Sequence, residues 1–131
     1  MSETMTIREM CDAFEVTPRA LRFYESKELL APIREGQKRL YTYRDRARLT
    51  LILRGKRYGF SLEEIRQLLD LYGSDETGRA QITAALHIGR KNLDALREQR
   101  AALDSAIADL TNDLEEAQRR LAKIDAKTHA A

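Results

Sequence analysis

The chain has 131 residues, 43% hydrophobic and 34% charged, with a formal net charge of +2, one cysteine and no tryptophan. That length holds one small domain with an extension and excludes a large catalytic barrel or a doubly wound sheet. One thiol, Cys11, excludes an intramolecular disulfide framework and a cysteine-rich metal centre, and without a long apolar run or a signal-like start the expected location is cytoplasmic, with no membrane contact.

The first helix starts at Thr6, where Glu9 three residues on completes a capping box, and Ile7, Met10, Cys11 and Phe14 mark its apolar face. Thr17 followed by Pro18 starts the second, because proline in the first turn gives up an amide hydrogen that has no partner there. It runs to about Lys27, with Leu21 and Tyr24 turned inward and Arg19 and Arg22 turned elsewhere. Two short helices joined at Glu15-Val16-Thr17 form a helix-turn-helix candidate.

After Leu29-Leu30-Ala31-Pro32 the helical period stops, and the stretch from Arg34 to Tyr41 reads as a short hairpin with a basic tip, a wing. Thr42 with Asp45 caps a third helix whose apolar face is Leu49, Ile52 and Leu53, and Gly59 is its left-handed stop. Ser61 with Glu64 repeats the box before Leu62, Ile65, Leu68, Leu69 and Tyr72. All eight aromatic residues and both prolines fall within this head. The predicted organisation is a head over 1–72, a polar linker over 73–79, a long helix over 80–125 and a disordered tail over 126–131.

In the long helix Ile82, Leu86, Gly89, Leu93, Leu96, Arg100, Leu103, Ile107, Leu110, Leu114, Ala117, Leu121 and Ile124 follow one another at steps of four and three. A repeat of 3.5 keeps one seam facing a partner helix, as a coiled coil requires. Its length of roughly 65 Å is more than a small head can cover. The chain is therefore expected to be a homodimer, with Leu86, Leu93, Leu96, Leu103, Ile107, Leu110, Leu114 and Leu121 in the interface.

Charge separates the two parts. Residues 34–57 hold nine basic and two acidic groups, a local net of +7, whereas residues 73–131 hold nine basic and ten acidic groups. The first pattern attracts a polyanion; the second is a solvated helix surface. In duplex DNA the second helix would enter the major groove, with Thr17 at its start, Arg19 reaching guanine acceptors and Arg22 a base or phosphate. Tyr24 would donate to a phosphate, and Lys38, Arg39 and Tyr41 on the hairpin would hold the flanking backbone or the minor groove. An enzyme fits poorly: His87 and His129 lie far apart, and no catalytic triad, metal-ligand spacing or glycine-rich phosphate loop occurs, so no catalytic, metal or cofactor residue is assigned. The rival is a coiled-coil interaction protein whose basic head binds RNA or protein.

The run Thr17-Pro18-Arg19-Ala20-Leu21-Arg22-Phe23-Tyr24-Glu25, then Leu29-Leu30-Ala31-Pro32, Arg39-Leu40-Tyr41 with Asp45, and Gly59-Phe60-Ser61-Leu62-Glu63-Glu64-Ile65 resembles the MerR family of bacterial transcription regulators. The resemblance implies a mainly α fold, a winged helix-turn-helix head followed by a dimerisation helix in an antiparallel coiled coil. It also implies a palindromic promoter operator that the dimer bends and untwists, acting on RNA polymerase indirectly through the DNA. It makes Arg19, Arg22, Tyr24, Arg39 and Tyr41 the expected DNA contacts.

Two positions depart from the family pattern: Phe23 stands where tyrosine is common, and Glu28 where glycine ends the recognition helix. A left-handed glutamate there costs roughly 1 kcal/mol unless the chain leaves by another path. The metal and redox sensors of the family use cysteines beside the dimerisation helix, and this chain has none after Cys11, which reads as an apolar filler. A small-molecule effector has no identified pocket. The segment Leu53-Arg54-Gly55-Lys56-Arg57-Tyr58-Gly59-Phe60-Ser61-Leu62 is similar to a proteobacterial subgroup controlling branched-chain amino acid and acyl-CoA breakdown.

Overall fold

Side-chain caps set the helix starts, and a computed structural model, describing residues 3–73 and 78–130, shows them formed. Helix α1 (Ile7–Phe14) begins with the Glu9 amide donating to Thr6 Oγ1 at 3.2 Å and the Thr6 amide donating to Glu9 Oε1 at 2.9 Å. Glu15 ends it in the left-handed region, φ 54°. Helix α2 (Pro18–Ser26) is capped by Thr17, whose hydroxyl oxygen accepts from the Ala20 amide at 3.1 Å. Together they form the helix-turn-helix.

Three short strands complete the wing: β1 (Met5–Thr6), β2 (Ile33–Glu35) and β3 (Lys38–Tyr41), in the order β1-β3-β2, all antiparallel. The β2–β3 hairpin turns through Gly36 and Gln37, and Gly36 has φ 62°. Strand β1 is not readable in the sequence. Two residues carry no period, and only the pairing of Met5 with Tyr41 and Thr6 with Leu40 defines them.

Helix α3 (Tyr43–Arg57) starts at a complete Thr42/Asp45 box, and Asp45, nearly fully buried, also accepts the Ala31 amide at 3.0 Å. One carboxylate thus caps a helix and fastens the loop before the wing. Helix α4 (Leu62–Gly73) starts at the Ser61/Glu64 box. It packs on α3 where Gly55 has no side chain: a Cβ there would lie 2.8 Å from Ile65 Cγ1. The core gathers Met10, Leu21, Tyr24, Leu29, Leu30, Tyr41, Leu49, Ile52, Ile65 and Leu69, so every head helix and the wing contribute.

Helix α5 (Arg79–Ala130) corrects the expected organisation in two places. The predicted disordered tail from 126 is helical through Ala130, because Ala, Lys and Asp continue the helix without a glycine or proline to stop it; Ala131 lies outside the described residues. The linker is also shorter than predicted, since Gly73 belongs to α4 and Arg79 to α5, with 74–77 outside the described residues. The chain divides into a compact unit Met1–Asn92 and a second unit Leu93–Ala131, so the head takes in the beginning of α5 as well as residues to 72. Within the first unit the Glu64 carboxylate accepts from Lys91 Nζ at 2.8 Å and Asn92 Nδ2 at 3.5 Å, and Ala85, Ile88 and Gly89 are half-buried.

The second unit is a helix whose apolar residues stand exposed, without cover among the described residues. Leu103, Ile107, Leu110, Leu114, Leu121 and Ile124 are each more than half exposed. No helix among the described residues is long and apolar enough to cross a membrane.

Candidate nucleic-acid interface

The exposed face of α2 follows from its amphipathic spacing. With Leu21 and Tyr24 locked in the core, Arg19, Arg22 and Phe23 fall on the opposite side, at spacings of three and four. Arg19 and Arg22 are exposed and have no ion pair among the described residues. The exposed N-terminal turn of α2 therefore carries two free guanidiniums beside a helix start that itself favours anions. Arg19, Thr17 and Lys56 border one open groove of about 410 Å³, with Phe23, Phe60 and Leu62 also lining it. Lys56, at the end of α3, carries no sequence signal for this place, because it is 37 residues from Arg19 and only the fold brings both to one groove.

Glu25 organises the wing. Its Oε1 lies 3.3 Å from Arg34 Nε and its Oε2 2.8 Å from Arg39 Nε. Those two arginines are direct cross-strand partners in the hairpin, where like charges repel. The carboxylate between them removes the repulsion and ties both wing strands to the recognition helix. Sequence spacing alone would pair Glu25 with Arg22, three residues earlier; the structure gives the carboxylate to the wing instead. A tight hairpin register was the missing information.

Other basic groups of the head also hold the fold. Arg48 Nε donates to the Leu29 carbonyl at 2.8 Å, and burial with the neighbouring Arg44 charge lowers the Arg48 guanidinium from its ordinary value. Arg66 donates to the Lys27 carbonyl at 2.6 Å, and Arg46 to the Glu3 carbonyl at 3.0 Å. Lys38, Arg44, Arg54, Lys56 and Arg57 are exposed, with side chains free of ion pairs among the described residues. The +7 of residues 34–57 thus divides into structural cations and cations open to a polyanion.

Two expected contacts sit elsewhere. Tyr41 is fully buried, with its hydroxyl enclosed and without a hydrogen-bond partner; burial and the nearby Glu25 carboxylate push that hydroxyl up from its ordinary value. Its place at the end of a central strand makes it a core residue, and it is not offered to a phosphate. Tyr24 is 5% exposed and is likewise built into the core, because it lies one turn after Leu21 on the inner face. Arg39 keeps a partly exposed position, already paired with Glu25. Cys11 is partly buried against the core, and burial together with Asp12 pushes its thiol up, away from the reactive thiolate. His87 is exposed. Among the described residues no group of three or more histidine, cysteine or acidic side chains could hold a metal ion.

The chain matches two family descriptions, "MerR HTH family regulatory protein" over residues 5–72 and "MerR, DNA binding" over residues 46–126. It is 33% identical over 106 residues to the HTH-type transcriptional regulator ZntR of Escherichia coli strain K12, covering 79% of this chain and 69% of that one. Its fold is similar to that of a MerR family transcriptional regulator from Bacillus cereus, with a TM-score of 0.63 and 32% identity over 86% of this chain and 83% of the other. It is similar too to the regulator PbrR691 of Ralstonia metallidurans CH34 in complex with lead(II), with a TM-score of 0.61 and 33% identity over 82% and 85% of the two chains.

Proposed function

The chain belongs to the MerR family of DNA-binding transcription regulators, and we propose that it acts as a homodimer on a palindromic promoter operator, distorting the duplex. Under this reading Arg19 reads a base in the major groove of each half-site, with Arg22 on a base or phosphate. Thr17, Lys38 and Lys56 contact the backbone, and Arg39 holds the wing through Glu25. The observation that carries it is the pair of unpartnered guanidiniums on the exposed face of a helix whose other face is fixed in the core.

The dimer rests on the uncovered Leu/Ile stripe of α5, which two copies would bury against each other in an antiparallel coiled coil. Placing two heads at a fixed separation matches an inverted-repeat site. Bending and untwisting the DNA between promoter elements would let RNA polymerase engage both without touching the regulator. The RNA- or protein-binding alternative has no support from the family match.

The regulated genes are proposed to serve branched-chain amino acid and acyl-CoA breakdown in the cytoplasm, on the likeness of residues 53–62 to that subgroup. A soft-metal signal needs thiolates that α5 does not supply, so an organic effector fits this chain better than a metal such as the lead(II) held by PbrR691.

The test is a binding competition between a dyad operator and scrambled duplex over a range of salt. Arg19→Ala is expected to relax discrimination at one base pair per half-site by about 1–3 kcal/mol, whereas Arg39→Ala weakens all duplexes alike. Unaltered discrimination by the Arg19 variant removes its base-reading role.

A further inference from the structure

The exposed face of α2 carries one side chain that no phosphate can use. Phe23 is 44% exposed, although it stands between Arg19 and Lys27 on the face that carries Arg22. A phenyl ring has neither donor nor acceptor, and leaving it in water forgoes burial that the core could have supplied. Its ring is half-exposed, on the wall of the open groove that Arg19, Lys56, Phe60 and Leu62 also line. The ring edge meets Tyr24 at a centroid distance of 5.9 Å, and Lys27 Nζ lies 5.7 Å from its centre. The Ser26 hydroxyl donates to the Phe23 carbonyl at 2.6 Å, closing the last turn beneath it.

We propose that Phe23 is a specificity residue that covers the C5 methyl group of a thymine in each operator half-site. The inference rests on the reading that α2 enters the major groove. In that groove the one apolar feature a base pair presents is the thymine methyl, and aromatic side chains are suited to it. Phe23 lies four residues beyond Arg19 on the same face, about 6 Å along the helix axis. At about 3.4 Å per base step, the thymine falls within roughly two base pairs of the base that Arg19 reads. On binding, Lys27 would turn from the ring to a flanking phosphate and so open the ring to the base edge.

The experiment uses the full chain and an operator selected by it from random duplexes. Each thymine of a half-site is replaced in turn by deoxyuridine, which deletes only the methyl group. Wild-type protein is expected to lose about fourfold in affinity at one position per half-site, the size of one buried methyl group. Phe23→Ala should bind the thymine and deoxyuridine operators equally. Phe23→Tyr keeps the ring and its packing on Tyr24 but sets a hydroxyl against the methyl, so it should show a blunted difference; it also serves if the alanine variant fails to fold. No methyl dependence in the wild type, or full dependence retained in Phe23→Ala or Phe23→Tyr, overturns the proposal while leaving DNA reading intact. Selection that yields no shared dyad overturns both.

Discussion

Glu28 shows how one residue is held against its own preference. It sits at φ 60°, the left-handed region, where a side chain costs roughly 1–2 kcal/mol. Arg66 and Arg48 bond the carbonyls of Lys27 and Leu29 on either side, so the bend that ends α2 is fixed from outside. Glu28→Gly is therefore expected to raise stability by about 1 kcal/mol in a urea melt, with the DNA preference unchanged. An unchanged or lowered midpoint would mean that the glutamate makes a compensating contact. The left-handed bend was legible only through the family resemblance, which puts glycine at this place; the residues themselves left another exit from the helix open. The two arginines that hold it were not, since they lie 19 and 39 residues beyond the carbonyls they bond and look like surface charge.

Between elements, the recurring device is the carboxylate of a cap used twice. Asp45 caps α3 and holds Ala31; Glu64 caps α4 and holds Lys91 and Asn92 of α5. The Lys91 ammonium and the Ser61 amide hold the Glu64 carboxyl below its usual value of 4.5. A depressed carboxylate contributes stability above its unfolded value and loses it as the pH falls through its folded value. Glu64→Gln is expected to cost about 1 kcal/mol near neutral pH. In denaturant melts the gap between wild type and variant should close as the pH drops below 4.5, the usual value. A gap that persists in acid would assign the effect to shape instead of charge. The capping boxes at Thr6, Thr42 and Ser61 were all legible, since hydroxyl and carboxylate lie three residues apart. The second use of each carboxylate was not, because it needs the tertiary partner. The same holds for Glu25 between Arg34 and Arg39, and for β1, which exists only as an edge of β3.

At the scale of the whole molecule, the heptads of α5 were the plainest signal in the sequence, and the exposed stripe bears the same residues. Leu103→Lys places a charge within that stripe, and under the proposed pairing the mass measured by sedimentation is expected to fall from dimer towards monomer. A wild-type mass of one chain, or an unaltered mass in the variant, would reject the seam. The head was legible as helices and a hairpin, but the contacts that fasten Lys91 and Asn92 to it were not, because polar contacts carry no hydrophobic period. The Glu64 attachment bears on how such regulators exchange parts. A graft of a foreign pairing rod at the polar linker would strand a charged cap without its partners, whereas a joint placed after Asn92 transplants the reading head with its fastening complete.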